Sequence, residues 1–224
     1  DAAAESLCRH KGRLSLRGLT SLSDAAAESL SKFEGDLGLN GLTSLSDAAA
    51  QSLSKHQGDL SLNGLTSLSD AAAESLSKHE GGLGLSGLTS LSDASAESLS
   101  THEGRWLYLN GLTSLSDTAA ENLSGHEGGW LSLAGLTSLS DSPGHLSLRL
   151  KIGESLDGLT SLSDAAAESL SKHSGGLSLD GLASLSDLAA ESLSKCEGSL
   201  SLDLDELPES AAEILRQHPS FQDG

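Results

Sequence analysis

Positive charge and long apolar runs are both scarce in this sequence. Lysine and arginine total 13 against 32 aspartate and glutamate residues, so the formal net charge is −19 at pH 7. Nonspecific binding to nucleic acid or to an anionic membrane requires a basic surface, which this charge balance does not provide. The apolar runs are also far shorter than the roughly 20 residues that a transmembrane helix needs. We therefore expect no nucleic acid and no membrane among the partners.

Methionine is absent and cysteine is rare, with two residues in the chain. Because the sequence opens at Asp1 inside a repeated segment, we expect a fragment or a processed product, and the sequence assigns no cellular compartment. Cys8 and Cys196 lie eight repeats apart, which is roughly 40 Å if each stacked strand adds about 4.8 Å. A disulfide needs Cα atoms within about 7 Å of each other, so we expect none within the chain.

A segment of 23 residues recurs along the chain, and it is clearest at residues 41–63. Internal repetition determines the architecture, because each unit of a repeat protein contacts only its neighbours. An acidic residue opens the helical part of each unit, and these residues are Asp1, Asp24, Asp47, Asp70, Asp93, Asp117, Asp141, Asp164, Asp187 and Glu209. The sequence therefore predicts a single solenoid over residues 1–224, made of about ten repeats of 22–24 residues.

Each repeat has the pattern of a strand, a turn and a helix. Residues 60–63 alternate apolar and polar side chains, which is the period of a half-buried strand. Gly64 follows where the chain must turn, and glycine tolerates a left-handed bend. Ser69 and Asp70 have the chemistry of a helix N-cap and first helical turn. Gly81 is placed to end that helix as its C′ residue.

The helical part of the repeat has one apolar face, formed by Ala72, Leu76 and His79 at positions i, i+4 and i+7. Alanine on this face allows a short helix to lie close to the sheet. One unit contains too few leucines to offset the entropy lost on ordering its backbone, so it cannot fold alone. Stacking must supply the rest, through shared leucines and a parallel ladder of strand hydrogen bonds.

A unit of this length, with leucines in the frame L-x-L-x-G-L-x-x-L, resembles the bacterial leucine-rich repeat family. The resemblance covers almost the whole chain. It implies an α/β fold, namely a right-handed leucine-rich-repeat-like solenoid with a parallel β-sheet on one face and short α-helices on the other. Members of the family usually act as protein-binding surfaces. In one departure, leucine fills the place where the family has asparagine, at Leu19, Leu42, Leu65 and Leu88.

The repeat at residues 141–156 is irregular. Pro143 and Gly144 interrupt the expected helix, and the following apolar residues alternate as a strand would, at Leu146, Leu148, Leu150 and Ile152. A hinge or an altered recognition segment is one interpretation. We favour the other, in which one unit has drifted and its neighbours tolerate a local distortion.

The last repeat, residues 199–224, differs most from the others. Ile214 joins its apolar set, and Pro219 ends its helix. We interpret this repeat as a C-terminal cap, because terminal units of solenoids have to close the stack.

Aromatic residues are scarce, and the two tryptophans and the single tyrosine lie in two neighbouring repeats. Trp106 and Trp130 each precede a strand leucine in a repeat with a one-residue insertion. Strand alternation places Trp106, Tyr108 and Asn110 on the side opposite the core-facing leucines. Exposed aromatic residues on a strand face are typical of binding hot spots. The alternative is that the insertion forms a bulge and the rings only cover it.

Histidine recurs at one repeat position, at His10, His56, His79, His102, His126, His173 and His218. A column of imidazoles suggests a row of metal-binding sites. Phe33 and Cys196 occupy the same position, however, so the position accepts apolar side chains. We therefore predict half-buried histidines at helix C-termini and no metal site. If these rings are buried and neutral, acid should unfold the protein cooperatively as they become charged.

No catalytic set and no cofactor is predicted, because the serines and histidines recur as repeat positions. We predict a non-catalytic protein–protein interaction module with an unidentified protein partner, not an enzyme, and with its binding site at Trp106, Tyr108, Asn110 and Trp130. The alternative function is a structural spacer or a self-associating scaffold segment. End-to-end self-association is possible because the first repeat is basic and the last is acidic.

Overall fold

The computed structural model describes residues 12–142, 145, 147–148, 156–172 and 175–222. The chain divides into two compact units, one formed by Asp1–Leu112 with Gly125–Ser132 and the other by Thr113–Ser124 with Leu133–Gly224. Across the described residues, no helix has the length and apolar character needed to cross a membrane.

The first unit contains a six-stranded parallel sheet in which neighbouring strands follow chain order. The strands are β1 (Leu14–Ser15), β2 (Leu37–Gly38), β3 (Leu60–Ser61), β4 (Leu83–Gly84), β5 (Trp106–Tyr108) and β6 (Trp130–Ser132). The helices of this unit are α1 (Asp24–Leu30), α2 (Asp47–Leu53), α3 (Asp70–Leu76) and α4 (Asp93–Ser100).

The second unit repeats the same alternation of strand and helix. Its helices are α5 (Asp117–Ser124), α6 (Asp164–Leu170), α7 (Asp187–Leu193) and α8 (Glu209–Leu215). Its named strands are the parallel pair β7 (Leu177–Ser178) and β8 (Leu200–Ser201), and 3₁₀ turns cover Leu204–Glu206 and Pro219–Phe221. The predicted α/β fold, a leucine-rich-repeat-like solenoid with repeats of about 23 residues, is confirmed.

Equivalent leucines of successive repeats lie next to each other in the sheet, as in the pair Leu60 and Leu83. The Leu60 N–H donates to the carbonyl oxygen of Gly82 in the next repeat, at 2.8 Å. The side chains of this repeat that have no exposed surface are Leu60, Leu62, Leu65, Ala72, Ala73 and Leu76. The core therefore lies between the sheet and the helices, as the alternation of residues 60–63 predicts.

Serine caps the helices and also connects one repeat to the next. The Ser69 hydroxyl accepts a hydrogen bond from Ala72 N at 3.1 Å, which confirms the predicted N-cap. The same hydroxyl donates to the Asp47 carboxylate at the start of the previous helix, at 2.5 Å. Equivalent bonds join Ser46 to Asp24 and Ser92 to Asp70. The recurring Ser-Asp pair is thus both a cap and a link between repeats.

The glycines have a different role from the predicted one. Gly64 does not have a positive φ, so its turn needs no left-handed residue. Instead, a Cβ atom at Gly64 would lie 2.2 Å from the carbonyl oxygen of Asn40 in the previous repeat. Gly81 is not a C′ residue either, because α3 ends at Leu76 with Ser77 as its cap. Glycine is required at Gly64 because two backbones approach each other too closely for any side chain.

The irregular repeat is only partly described. The strand predicted across residues 146–152 is wrong at Ser147 and Leu148, which are helical, and His145 is helical as well. Leu148 is fully buried, as a core leucine of a helix would be. Pro143, Gly144, Leu146, Leu150 and Ile152 lie outside the described residues.

The C-terminal repeat covers the last strand of the sheet in its unit. In β7, the Leu177 N–H donates to Ser199 O of the next repeat at 2.8 Å. In β8, the equivalent Leu200 N–H donates to the Ser220 hydroxyl at 3.0 Å. The Ser220 side chain therefore occupies the place where a further repeat would offer a carbonyl oxygen. The interpretation of residues 199–224 as a C-terminal cap stays a prediction.

Candidate functional site

The one-residue insertions lengthen the strands in the repeats that carry the tryptophans. β5 and β6 have three residues, whereas β2, β3 and β4 have two. The added residues are Trp106 and Trp130, which are paired in register as the first residues of β5 and β6. The insertion therefore extends the paired strands and places both tryptophans at the same end of the sheet.

The structure brings Trp106, Tyr108 and Trp130 together, and we call these three side chains the aromatic patch. Leu107 between them is fully buried, so the alternation that points the aromatic side chains away from the core is as predicted. The rings of Trp106 and Tyr108 stack with their centroids 4.5 Å apart and their planes 20° from parallel. Trp130 is 47% exposed, which makes it the most accessible ring of the patch.

The ring of Trp106 lies over a glycine of the neighbouring strand. A Cβ atom at Gly82 would lie 2.1 Å from Cε2 of Trp106, so the indole covers the backbone at that point. Tyr108 pairs in register with Gly84 of β4. The repeat before the patch therefore provides small residues at both places next to the large rings, and both glycines are buried beneath them.

Amide and hydroxyl groups lie beside the aromatic patch. Asn110 is half-buried, and its side-chain oxygen accepts a hydrogen bond of 2.7 Å from the Ser132 hydroxyl. At the equivalent position in earlier repeats, Asn40 Oδ1 accepts from Asn63 N at 3.1 Å, and Asn63 Oδ1 accepts from Ser86 N at 2.9 Å. Asn110 thus links β5 to β6 and holds the polar side of the patch in place.

A salt bridge lies next to the patch and spans two repeats. Arg105 Nη2 is 2.6 Å from Asp59 Oδ1, and the guanidinium is 70% exposed whereas the carboxylate is 18% exposed. The same Asp59 oxygen accepts a hydrogen bond from Gly82 N at 2.9 Å. Asp59 first, and Asp36 to a smaller extent, raise the pKa of Arg105 above its ordinary value. This arrangement holds an exposed guanidinium beside two carboxylates.

Sequence analysis missed this salt bridge. Its signal was present, since Arg105 directly precedes Trp106 in a repeat with an insertion and Asp59 occupies the position before the strand leucine two repeats earlier.

The histidines of the first unit form a stacked row with Phe33. Successive ring centroids lie 6.2–6.5 Å apart, and the planes of neighbouring rings are within 13° of parallel. The row contains Phe33, His56, His79, His102 and His126. Each ring is at most 2% exposed, so these residues are fully buried and not half-buried as predicted. They also lie in the turns after the helices, beyond the last helical residue.

Burial makes this row electrostatically unusual. It lowers the pKa values of His56, His79 and His102, with His79 lowered to about 4 in part because its two neighbouring histidines would repel its charge. Backbone carbonyls of the preceding repeat oppose this shift, and His126 Nδ1 lies 3.1 Å from the carbonyl oxygen of Ser100. The rings of His56, His79 and His102 are therefore neutral at pH 7 and act as core side chains.

The row does not have the geometry of a metal site. A metal ion needs ligand atoms converging on one point within about 2–2.3 Å, whereas these parallel rings are more than 6 Å apart. Among the residues that the structure describes, no group of three or more histidine, cysteine, aspartate or glutamate side chains is arranged to hold a metal ion. The Cys196 thiol is free and buried, which raises its pKa. Cys8, His10 and His173 lie outside the described residues.

One buried histidine of the second unit joins a polar cluster that sequence analysis did not predict. His145 Nδ1 lies 2.8 Å from the Ser140 hydroxyl, 3.1 Å from the Ser142 hydroxyl and 3.1 Å from Asp117 Oδ1. A serine–histidine–aspartate relay needs the serine on one ring nitrogen and the carboxylate on the other. Here all three oxygens face the same nitrogen. The cluster is therefore a branch of the Ser-Asp link between repeats and has no relay geometry.

No protein-family model matches the chain, and no curated protein matches it significantly. Membership of the leucine-rich repeat family stays a prediction from the repeat pattern, whereas the leucine-rich-repeat-like fold is observed.

Proposed function

We propose that this chain is a non-catalytic protein-interaction module whose binding site is the aromatic patch with Asn110. The observation that carries the proposal is the position of Trp130, which is 47% exposed beside the stacked pair of Trp106 and Tyr108. Large aromatic rings lose little conformational entropy on binding and bury much apolar area, so they dominate the affinity of many interfaces.

The surroundings of the patch support this role. The rings rest on a paired sheet whose neighbouring strands contribute Gly82 and Gly84, so a partner reaches them without obstruction from long side chains of β4. The amide of Asn110 is held by Ser132, which makes it a fixed polar contact at the edge of the apolar surface. An apolar centre with a polar rim is the usual anatomy of a protein interface.

A pull-down from lysate tests the proposal. The native chain is compared with a variant that carries Trp106→Ser, Tyr108→Ser and Trp130→Ser, and circular dichroism verifies that both are folded. Trp130→Ser alone is the milder control, because its ring is the most exposed. We expect a protein partner that the native chain retains, that Trp130→Ser retains weakly and that the triple variant loses.

Identical protein profiles for all three chains would contradict the proposal. The alternative, a structural spacer or self-associating segment, would then take its place. The observation that favours the alternative is the Ser-Asp link, which joins one repeat to the next and stiffens the stack. A molar mass that rises with concentration in light scattering would identify self-association.

A further inference from the structure

The aromatic patch lies beside a surface with an excess of negative charge. Between Phe33 and Ser132 the sequence contains Lys55, Lys78 and Arg105 as its only lysines and arginines, against acidic residues in every repeat. Lys78 lies in the turn after α3, where it pairs with Glu74 of that helix at 3.0 Å. Arg105 is therefore the one basic residue of that range that the structure places next to the strands of the patch.

Two carboxylates lie before the patch, at the same end of the stacked strands. Asp36, Asp59, Trp106 and Trp130 all occupy the position just before a strand leucine, so they follow one another in successive strands, with Gly82 between Asp59 and Trp106. Adjacent strands are about 4.8 Å apart, so this row has the length of a short extended peptide. Asp36 is exposed, and Asp59 is partly exposed.

Arg105 shows that this row already accommodates a guanidinium group. Its side chain reaches Asp59 at 2.6 Å while 70% of it stays exposed to solvent. The Arg105 side of this ion pair is screened by solvent, and its long side chain loses entropy when it is held in one place, so the pair contributes little to stability. A partner with its own cation can therefore replace Arg105 at Asp59 at small cost.

We propose, building on the function proposed above, that the aromatic patch and the Asp36–Asp59 row together bind an extended, arginine- or lysine-rich segment of a partner protein, and that Arg105 competes with this segment for Asp59. The faces of Trp106 and Trp130 attract a guanidinium or ammonium group through cation–π interaction. The two carboxylates attract the next cations of the segment, and the net charge of −19 accelerates the encounter.

Fluorescence anisotropy with three labelled peptides of equal length tests the inference. One peptide alternates arginine with serine, the second alternates glutamate with serine, and the third contains only serine and glycine. Each is titrated with the native chain and with the variants Arg105→Ser, Lys78→Ser, Trp130→Ser and Asp59→Asn. Lys78→Ser is the matched control for Arg105→Ser, because both remove one positive charge but Lys78 is on the helix side.

The arginine peptide should bind in preference to the other two, and added salt should weaken its binding. Arg105→Ser should tighten binding by roughly threefold, because the competitor for Asp59 is removed. Lys78→Ser should change the affinity much less, since the ions of the buffer screen a distant charge. Trp130→Ser should weaken binding by about tenfold, as for a hot-spot residue. Asp59→Asn should also weaken it.

Three results would overturn the inference. Preferred binding of the glutamate or the neutral peptide would show that the partner is not basic. Equal effects of Arg105→Ser and Lys78→Ser would show that only net charge matters. Unchanged affinity in Trp130→Ser would place the peptide elsewhere. If a lysate partner is still lost by the triple aromatic variant in any of these cases, the interaction module stands and only the basic chemistry of the partner is wrong.

Discussion

The imidazole rings of His79 and His102 lie parallel, with their centroids 6.3 Å apart and their planes inclined by 6°. Neither ring has exposed surface beyond 1%, and the charge of one would repel the charge of the other. Protonation of this pair therefore opposes folding. This relationship links the stability of the protein to pH.

The pKa of His79 in the folded protein is about 4, below the ordinary value of 6.5. The unfolded chain thus binds more protons between these two values, and the free energy of unfolding falls as the pH falls through that window. We expect His79→Phe to remove this loss, because Phe33 shows that the position accepts a phenyl ring. The difference in free energy of unfolding between the variant and the native chain should be more favourable at pH 5 than at pH 8, by about 2 kcal/mol.

Thermal melts at pH 5 and pH 8 measure this difference. An equal effect of His79→Phe at both pH values would show that the histidine row does not titrate on unfolding. The carboxylates that also stabilise the fold, such as Asp70, protonate at lower pH and so do not account for a change between pH 8 and pH 5.

Gly64→Ala should destabilise the protein by about 2 kcal/mol or more, because the added Cβ would lie 2.2 Å from Asn40 O and 2.6 Å from Leu42 O. The matched control is Gly18→Ala at the same repeat position, where a Cβ would meet nothing within 4 Å among the described residues. Urea unfolding should show a change of less than about 0.5 kcal/mol for the control. Similar losses for both variants would refute the role assigned to close backbone approach.

Ser69→Ala should cost about 1–2 kcal/mol, since it removes both the N-cap of α3 and the donor to Asp47. Ser69→Asp separates the two roles, because aspartate caps a helix but, when ionised, has no proton to donate to Asp47. If the N-cap contributes more than the bond to Asp47, the stability of Ser69→Asp at low salt should lie between that of the native chain and that of Ser69→Ala. Ser67→Ala, at an exposed position of the same repeat, serves as the control. A loss no larger than that of Ser67→Ala would contradict the double role of Ser69.

Ser95→Ala should raise the pKa of Asp70. The hydroxyls of Ser92 and then Ser95 lower this pKa by donating to the carboxylate, at 2.5 and 2.7 Å. Alanine occupies the equivalent position in neighbouring repeats, for example at Ala72, so the fold should tolerate the change. NMR titration of the carboxyl carbon would detect the rise. The pKa should stay below its ordinary value, because Ser92 remains, and an unchanged pKa would show that Ser95 does not donate to Asp70 in solution.

Ser220→Ala should accelerate hydrogen exchange at the Leu200 amide. The N–H of Leu200 donates to the Ser220 hydroxyl at 3.0 Å, so the substitution leaves this strand edge open to water. The amide of Leu177, which donates to Ser199 O within the same sheet, is the internal reference and should exchange at its native rate. Equal protection of Leu200 in both proteins would remove the basis for a cap at Ser220.

Much of this fold could be predicted because the residue types within each repeat indicate its local structure. Alternation at Leu60 and Leu62, the cap at Ser69 and the apolar tolerance of the His79 position all follow from the residue types within one unit. The burial, the N-cap and the strand register agree with those expectations. Because the 23-residue pattern recurs many times, a departure in one repeat does not obscure it.

Contacts between repeats could not be predicted in the same way. The need for glycine at Gly64 depends on where the carbonyl oxygen of Asn40 lies, which no property of the glycine itself indicates. Arg105 and Asp59 are 46 residues apart, and only the stacking of the repeats brings them together. The aromatic patch was found because scarce aromatic residues stand out against a uniform repeat, whereas a glycine that recurs in nearly every repeat does not.

The link between Ser69 and Asp47 has a consequence for how such a chain grows. Each repeat that contains the Ser-Asp pair provides one hydroxyl donor to the repeat before it and one carboxylate acceptor to the repeat after it. A duplicated unit inserted between two others brings both groups with it, so every new junction has the same chemistry as the old ones. Internal duplication of such a unit therefore leaves no donor or acceptor of this link unmatched.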